Sequence, residues 1–249
     1  MTGGKEHDDR GAIRALIFDM DGLLVDSEPI AEIAIGQFLR LHGRELHSGT
    51  MELMLGRRLP DAVVAVAGAY GLSLPIADLI QSYDELRLAA LRGNLQPMPG
   101  AAALLTFARA AGLKLALATS SLRTHADLSL AETGLVGLFD AEATGEEVER
   151  GKPEPDIFLL AADRLGQPPG SCVVLEDAPA GLASAAAAGM RRLWIPNVNT
   201  RGLPVGVAID AQLPDLGAVI PWLQEHGVDA PSLGTAGDER AAARTGERV

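Results

Sequence analysis

Cysteine occurs once in the 249 residues, at Cys172. A single thiol supports no intramolecular disulfide framework and no multi-cysteine zinc site. Aromatic residues make up only 4% of the chain, so small aliphatic side chains must do most of the packing; alanine alone fills 40 positions. Long apolar runs are missing as well. No stretch reaches the ~18 residues of a membrane-spanning helix. Residues 1–10 (MTGGKEHDDR) contain no apolar segment of the kind that marks a secretory signal, so the cytoplasm is the expected location. Basic residues are scarce: 21 Lys and Arg against 33 Asp and Glu leave a net charge of −12. No basic run exceeds two residues, as at Arg57-Arg58. Such a chain is not expected to clamp a nucleic-acid backbone or an anionic membrane surface.

What is present is an alternation. Ile13–Phe18, Lys114–Ala118 and Cys172–Leu175 are apolar runs too short for helices and read as buried strands. Leu193–Ile195 makes a short fourth and Val207–Ile209 a possible fifth. Helical segments lie near 100–111, 122–132, 155–165, 179–188 and 215–224. Strands alternating with ten-residue helices predict crossover units and a parallel sheet, and near-continuous hydrophobicity predicts strands covered on both faces. Residues 29–96 break the rhythm. Ile30–Leu41, Asp61–Ala69 and Ile76–Leu91 look helical, with no strand among them, and the block ends at the Pro/Gly hinge 96–100. The expected organisation is an α/β core over 11–28 and 97–227 and an inserted helical cap over 29–96. The ends, 1–10 and 228–249, are expected to be flexible, with a short Arg/Glu helix over 238–248 as the alternative. An insertion after the first strand sits at the carboxyl end of the sheet, where ligands bind in open α/β folds, and could act as a lid.

The chemistry concentrates at strand ends. Leu16-Ile17-Phe18-Asp19-Met20-Asp21-Gly22 puts two carboxylates just past the first strand, and Glu176-Asp177 follows the third in the same way. If those strands are neighbours, four carboxylates converge at one sheet edge. Two like charges ~4 Å apart repel by about 4 kcal/mol at an effective dielectric of 20, so the group needs a cation or must stay partly protonated. All-oxygen ligands favour a hard ion such as Mg²⁺. Thr119-Ser120-Ser121 follows a strand and precedes a helix, a setting in which a hydroxyl and free N–H groups bind phosphate or simply cap the helix. Lys152 precedes another helix and could hold a phosphate oxygen.

Four segments in order resemble the motifs of the haloacid dehalogenase-like phosphohydrolases: Phe18–Gly22, Leu117–Ser121, Lys152–Phe158 and Leu175–Gly181. The resemblance spans about residues 12–225, and it implies a Rossmann-like core. The insertion between the first two motifs resembles the small helical cap of the β-phosphoglucomutase-like branch. Residues 22–29 and 116–121 look most like pseudouridine-5′-phosphatase-like and 2-deoxyglucose-6-phosphate phosphatase-like enzymes. The resemblance implies a phosphatase of small phosphorylated metabolites, with Asp19 as nucleophile and Asp21 as acid and base. It implies Mg²⁺ held by Asp19, the Asp21 carbonyl, Asp177 and Glu176, and phosphoryl oxygens held by Thr119, Lys152 and backbone N–H groups near Met20 and Ser120. β-Phosphoglucomutases carry a His where this chain has Ala31 and a cap Arg where it has Leu59. That makes a sugar phosphomutase the second choice and a non-catalytic phosphate-binding module the third. In the cap, Glu28, Gly56, Arg57 and Arg58 are candidates for substrate contact. His42, His47, His125 and His226 have no metal-ligand spacing and read as surface or core residues. The chain is expected to be a monomer.

Overall fold

The computed structural model describes residues 11–230; the expectations for 1–10 and 231–249 lie outside them. Six parallel strands form one sheet in the order β3-β2-β1-β4-β5-β6. They are β1 (Ala15–Phe18), β2 (Lys114–Ala118), β3 (Ala141–Ala143), β4 (Cys172–Glu176), β5 (Arg191–Trp194) and β6 (Ala211–Gln212). β1 lies between β2 and β4, with Phe18 level with both Leu117 and Leu175.

Alternation along these strands sorts side chains by size. Leu16, Phe18, Leu115, Leu117, Val173 and Leu175 face one side. There they pack on α4 (Ala101–Ala110), α5 (Arg123–Thr133) and α8 (Val219–Glu225). Ala15, Ile17, Ala116, Ala118, Cys172 and Val174 face the other side, against α6 (Asp156–Leu165) and α7 (Pro179–Ala187). The small residues on that face and on α6 and α7 let helix and sheet lie close. Cys172 is buried there, and apolar burial pushes its thiol up to about 11, which leaves it a packing residue.

Three further helices, α1 (Glu28–Leu41), α2 (Leu59–Tyr70) and α3 (Ile76–Leu91), have their own apolar cluster, including Ile35, Phe38, Val66, Leu79 and Tyr83. Phe38 and Tyr83 meet edge to face with centroids 5.7 Å apart. The chain enters and leaves this helical block through two paired segments. Asp26 N–H donates to the Gln96 carbonyl at 2.9 Å and Met98 N–H to the Leu24 carbonyl at 2.8 Å.

Several elements differ from the sequence reading. β1 starts at Ala15 rather than Ile13; Arg14 still bonds to Ser171 and Lys114, but Arg14 is exposed and Ile13 only half-buried, at the rim of the sheet. β3 was not expected; three residues, Ala-Glu-Ala, carry too little pattern to signal a strand. The last strand falls at Ala211–Gln212 rather than Val207–Ile209. Val228, expected in a loose tail, is buried in the main core. Among the described residues no helix is long and apolar enough to cross a membrane.

Candidate active site

The carboxyl ends of β1, β2 and β4 open on one crevice, at the point where neighbouring connections leave to opposite faces of the sheet. Asp19 extends the ladder of β1, its N–H donating to the Leu175 carbonyl at 3.1 Å. Glu176 closes β4, and Asp177 follows it. One carboxylate oxygen from each of Asp19, Glu176 and Asp177 lies within 4.8 Å of the others, and all three residues are buried. Lys152, from the loop before α6, reaches into this group. Its ammonium donates to Asp19 Oδ1 at 2.5 Å and to Glu176 Oε1 at 2.6 Å, and it sits 4.9 Å from the Phe158 ring centroid. The far oxygen of Glu176 accepts the Ala178 N–H at 3.0 Å. A Cβ at position 181 would collide with the Glu176 carboxylate, so only glycine lets α7 start this close to it.

Three buried carboxylates therefore face one ammonium. Burial pushes Asp19 up to about 8 against the pull of Lys152, with Glu176 and Asp21 adding to the rise. Burial also raises Asp177 well above the usual carboxylate range, helped by Glu176, Asp19 and Glu28. The donor set is all oxygen, clustered and short of positive charge, which is what a hard divalent cation requires. The residues present fit such an ion.

Asp21 is placed differently. Its Oδ1 accepts Ser27 Oγ at 2.7 Å and the Arg87 guanidinium at 2.9 Å; its Oδ2 accepts Ser121 Oγ at 2.6 Å and, more loosely, Thr119 Oγ1 at 3.5 Å. Burial would raise its pKa, but Arg87, Ser121 and Ser27 together hold it below the usual range. The Asp21 side chain is not part of the three-carboxylate cluster.

The other expected residues separate. Thr119 is fully buried at the end of β2, its Oγ1 accepting the Ser121 N–H at 3.0 Å. Neither it nor Ser120 caps α5, whose N-cap is Leu122 without a side-chain bond. Ser120 Oγ donates to the Gly56 carbonyl at 3.1 Å, so these two residues join cap to core. Gly56 and Arg57 line the cleft; Arg57 is exposed and makes no ion pair among the described residues. Arg58 turns away. It pairs with Asp61 at 2.7 Å and donates to the Val148 and Glu149 carbonyls at 3.0 and 2.9 Å, which makes it a strap between cap and core. Glu28 lines the cleft at the first residue of α1 and accepts Asn199 Nδ2 at 3.1 Å.

Three cleft residues went unnoticed as such in the sequence. Tyr83 and Arg87 project from one face of α3, and His125 from the start of α5. Between them, Asp84 lies 2.7 Å from His125 Nε2. Burial and the nearby Arg87 charge hold the His125 imidazole below its ordinary pKa. His125 is thus a buried cleft residue pressed against the cap. The only sequence signal was the spacing of Arg87, four residues after Tyr83 and three after Asp84, which makes it a helix-surface neighbour of both an aromatic and an opposite charge.

The cleft between core and cap leaves about 70 Å³ of free space. Sites for small organic ligands usually measure roughly 300–1,000 Å³; the Arg87–Asp21, Ser120–Gly56 and Arg58–Glu149 contacts hold the cap down against the core here.

Comparison with known proteins agrees with this geometry. A family model described as "haloacid dehalogenase-like hydrolase" matches residues 13–189. The chain is 35% identical to Protein CbbY of Rhodobacter capsulatus over 219 residues, covering 83% of this chain and 95% of that protein. It is 34% identical to a probable pseudouridine-5′-phosphatase of Drosophila melanogaster over 187 residues, covering 73% and 80%. The crystal structure of CbbY from Rhodobacter sphaeroides in complex with phosphate superposes with a TM-score of 0.74 at 28% identity, covering 83% of this chain and 96% of that one. A parallel sheet with its acidic strand ends roofed by inserted helices, matched by that family over most of the chain, places this protein among the haloacid dehalogenase-like hydrolases.

Proposed function

We propose that the chain is a Mg²⁺-dependent phosphatase of a small phosphomonoester, a sugar phosphate or nucleoside-type monophosphate, working through an aspartyl-phosphate. The observation that carries this reading is the charge imbalance at the sheet edge: Asp19, Glu176 and Asp177 against Lys152 alone. We assign the ion to Asp19, Glu176, Asp177 and the Asp21 backbone carbonyl. When bound, the ion neutralises phosphoryl charge so that a carboxylate can approach a phosphate.

The chain's own groups do the rest. Asp19 attacks phosphorus, and the bond from phosphorus to the leaving alcohol oxygen breaks. Asp21 gives that oxygen its proton and later takes one from the water that attacks the aspartyl-phosphate, releasing inorganic phosphate. Lys152, Thr119 and backbone N–H groups near Met20 and Ser120 hold phosphoryl oxygens. For Asp21 to carry a proton, its contact with Arg87, Ser27 or Ser121 must loosen, so proton transfer is tied to the position of α3. Opening of the 29–96 cap admits the substrate; Arg57 and Glu28 meet the leaving group there, while Gly56 and Ser120 form the seam that closes. All these groups come from one copy of the chain, so no second copy is needed for the chemistry, and the reading is of a monomer that works in the cytoplasm.

A phosphomutase must grip its intermediate through a second phosphate. Ala31 and Leu59 are buried and apolar at the positions where that grip would be, and Arg58 is occupied by Asp61 and two carbonyls. These features favour hydrolysis. The test is Asp19→Asn in a phosphate-release assay over sugar phosphates and nucleotides, with and without Mg²⁺. Release is expected to fall by at least about 10³-fold with the unfolding temperature near that of the parent. Turnover close to the parent's would end the nucleophile assignment, and isomerised sugar phosphate without free phosphate would support the mutase.

A further inference from the structure

Asp177 is the least supported member of the carboxylate cluster from within the cleft. Lys152 touches Asp19 and Glu176 but not Asp177. Its support comes from behind. The backbone carbonyl of Asp177 accepts Trp194 Nε1 at 2.9 Å, from the end of β5. Its side-chain Oδ2 accepts Asn197 Nδ2 at 2.8 Å, from the loop that follows β5. Among the described residues this amide is the one side-chain donor to the Asp177 carboxylate.

The Asn197 amide has no freedom to turn over. Its Oδ1 accepts the Asn199 N–H at 2.8 Å, the Thr200 N–H at 3.1 Å and the Thr200 hydroxyl at 3.3 Å. With the carbonyl end saturated by three donors, the NH₂ end must face Asp177. Its second hydrogen points to the Gly22 carbonyl at 3.2 Å. Gly22 has φ +78°, and a Cβ there would come within 2.6 Å of Asn197 Nδ2 and 2.9 Å of Asp177 Oδ2. The turn after Asp21 is therefore shaped around this contact. Asn197 does not line the cleft; it lines a neighbouring groove, and its contact with the site is made through Asp177.

We infer that Asn197 is a positioning residue, which holds Asp177 in the rotamer that binds the divalent ion. Donors behind a ligating carboxylate fix its direction and the basicity of its free oxygen, and removing such a partner typically costs 10–100-fold in metal affinity. This inference rests on the proposed divalent-ion site.

The test reads metal binding rather than turnover. Full-length chain is stripped with EDTA, then titrated with MgCl₂ and separately MnCl₂, and the metal-induced rise in unfolding temperature gives the half-saturating concentration. Asn197→Ala removes both ends of the amide. Asn197→Ser keeps an oxygen that can still accept from the Thr200 N–H but has no donor that reaches Asp177, so it preserves the loop if the alanine variant fails to fold. The expected result is a half-saturating concentration raised about tenfold or more in either variant, with Asn199→Ala, which cuts only the contact to Glu28, unchanged. Asn197→Ser within twofold of the parent overturns the inference, as does an equal shift in Asn199→Ala. No metal-induced rise in the parent itself would instead bring down the divalent-ion site, and the inference with it.

Discussion

The floor and the roof of the cleft solve the same problem, a buried carboxylate, in opposite ways. On the floor, one ammonium pairs with Asp19 and Glu176, Asp177 lies beside them without it, and Asp19 and Asp177 have raised pKa values. Under the roof, Asp21 meets a guanidinium and two short hydroxyl bonds, and its pKa is lowered. One side is left short of positive charge; the other is neutralised by the protein itself. An incomplete floor invites a cation from outside, whereas a completed roof contact makes the protonation of Asp21 depend on where the cap helix sits.

Lys152→Met gives the largest break in this comparison. It leaves three buried carboxylates with no ammonium, and unpairing a buried ion pair costs roughly 3–5 kcal/mol. Chemical denaturation in EDTA should show that loss, and Mg²⁺ should restore part of it because the ion addresses the same deficit. Stability unchanged in EDTA would show that the Lys152 ion pairs with Asp19 and Glu176 do not hold the floor together. Arg87→Leu probes the roof. It leaves Asp21 to Ser27 and Ser121, so the Asp21 pKa should rise and the pH dependence of kcat/KM governed by Asp21 should move to higher pH, a shift that added Mg²⁺ does not reverse. Reversal by Mg²⁺ would show that the two sides are not separate. The smallest effect concerns His125. Its folded-state pKa lies below the ordinary 6.5, so the unfolded chain binds the proton more readily. Its contribution to stability is therefore complete above about pH 6.5 and lost as pH falls toward the lowered value, by no more than about 1.4 kcal/mol per pH unit. His125→Leu should flatten that slope between pH 5 and 7; an identical slope in the variant would show that the imidazole protonates as freely in the folded chain.

The sequence made the floor legible because each of its carboxylates stands at the end of a short apolar run, and parallel pairing brings such ends to one edge whatever the connecting helices do. Fold class followed from the same runs. Two edge strands were missed or misplaced because two or three residues carry no usable periodicity, as at Ala141–Ala143 and Ala211–Gln212. The roof was harder. Arg87 lies 66 residues from Asp21 on a helix that reads as an ordinary amphipathic one, and only the docking of that helix makes its charge meaningful. Arg57 and Arg58 are neighbours in sequence with equal claims to the substrate, yet the turn at Gly56 sends one to the cleft and the other to the Val148 and Glu149 carbonyls. Backbone direction through a left-handed glycine decides between them, and residue type does not report it. Asn197 lay in a loop with no pattern, and its link to Asp177 depends on three donors fixing one amide.

The paired segments that carry the chain into and out of the helical block, Leu24–Asp26 against Gln96–Met98, have a consequence of their own. Entrance and exit lie side by side, so the roof hangs from the floor by a single ribbon and interrupts the sheet at one place only. A different set of helices spliced at this ribbon would leave Asp19, Glu176, Asp177 and Lys152 in place and change only what the roof brings to them, the Arg87 contact with Asp21 included.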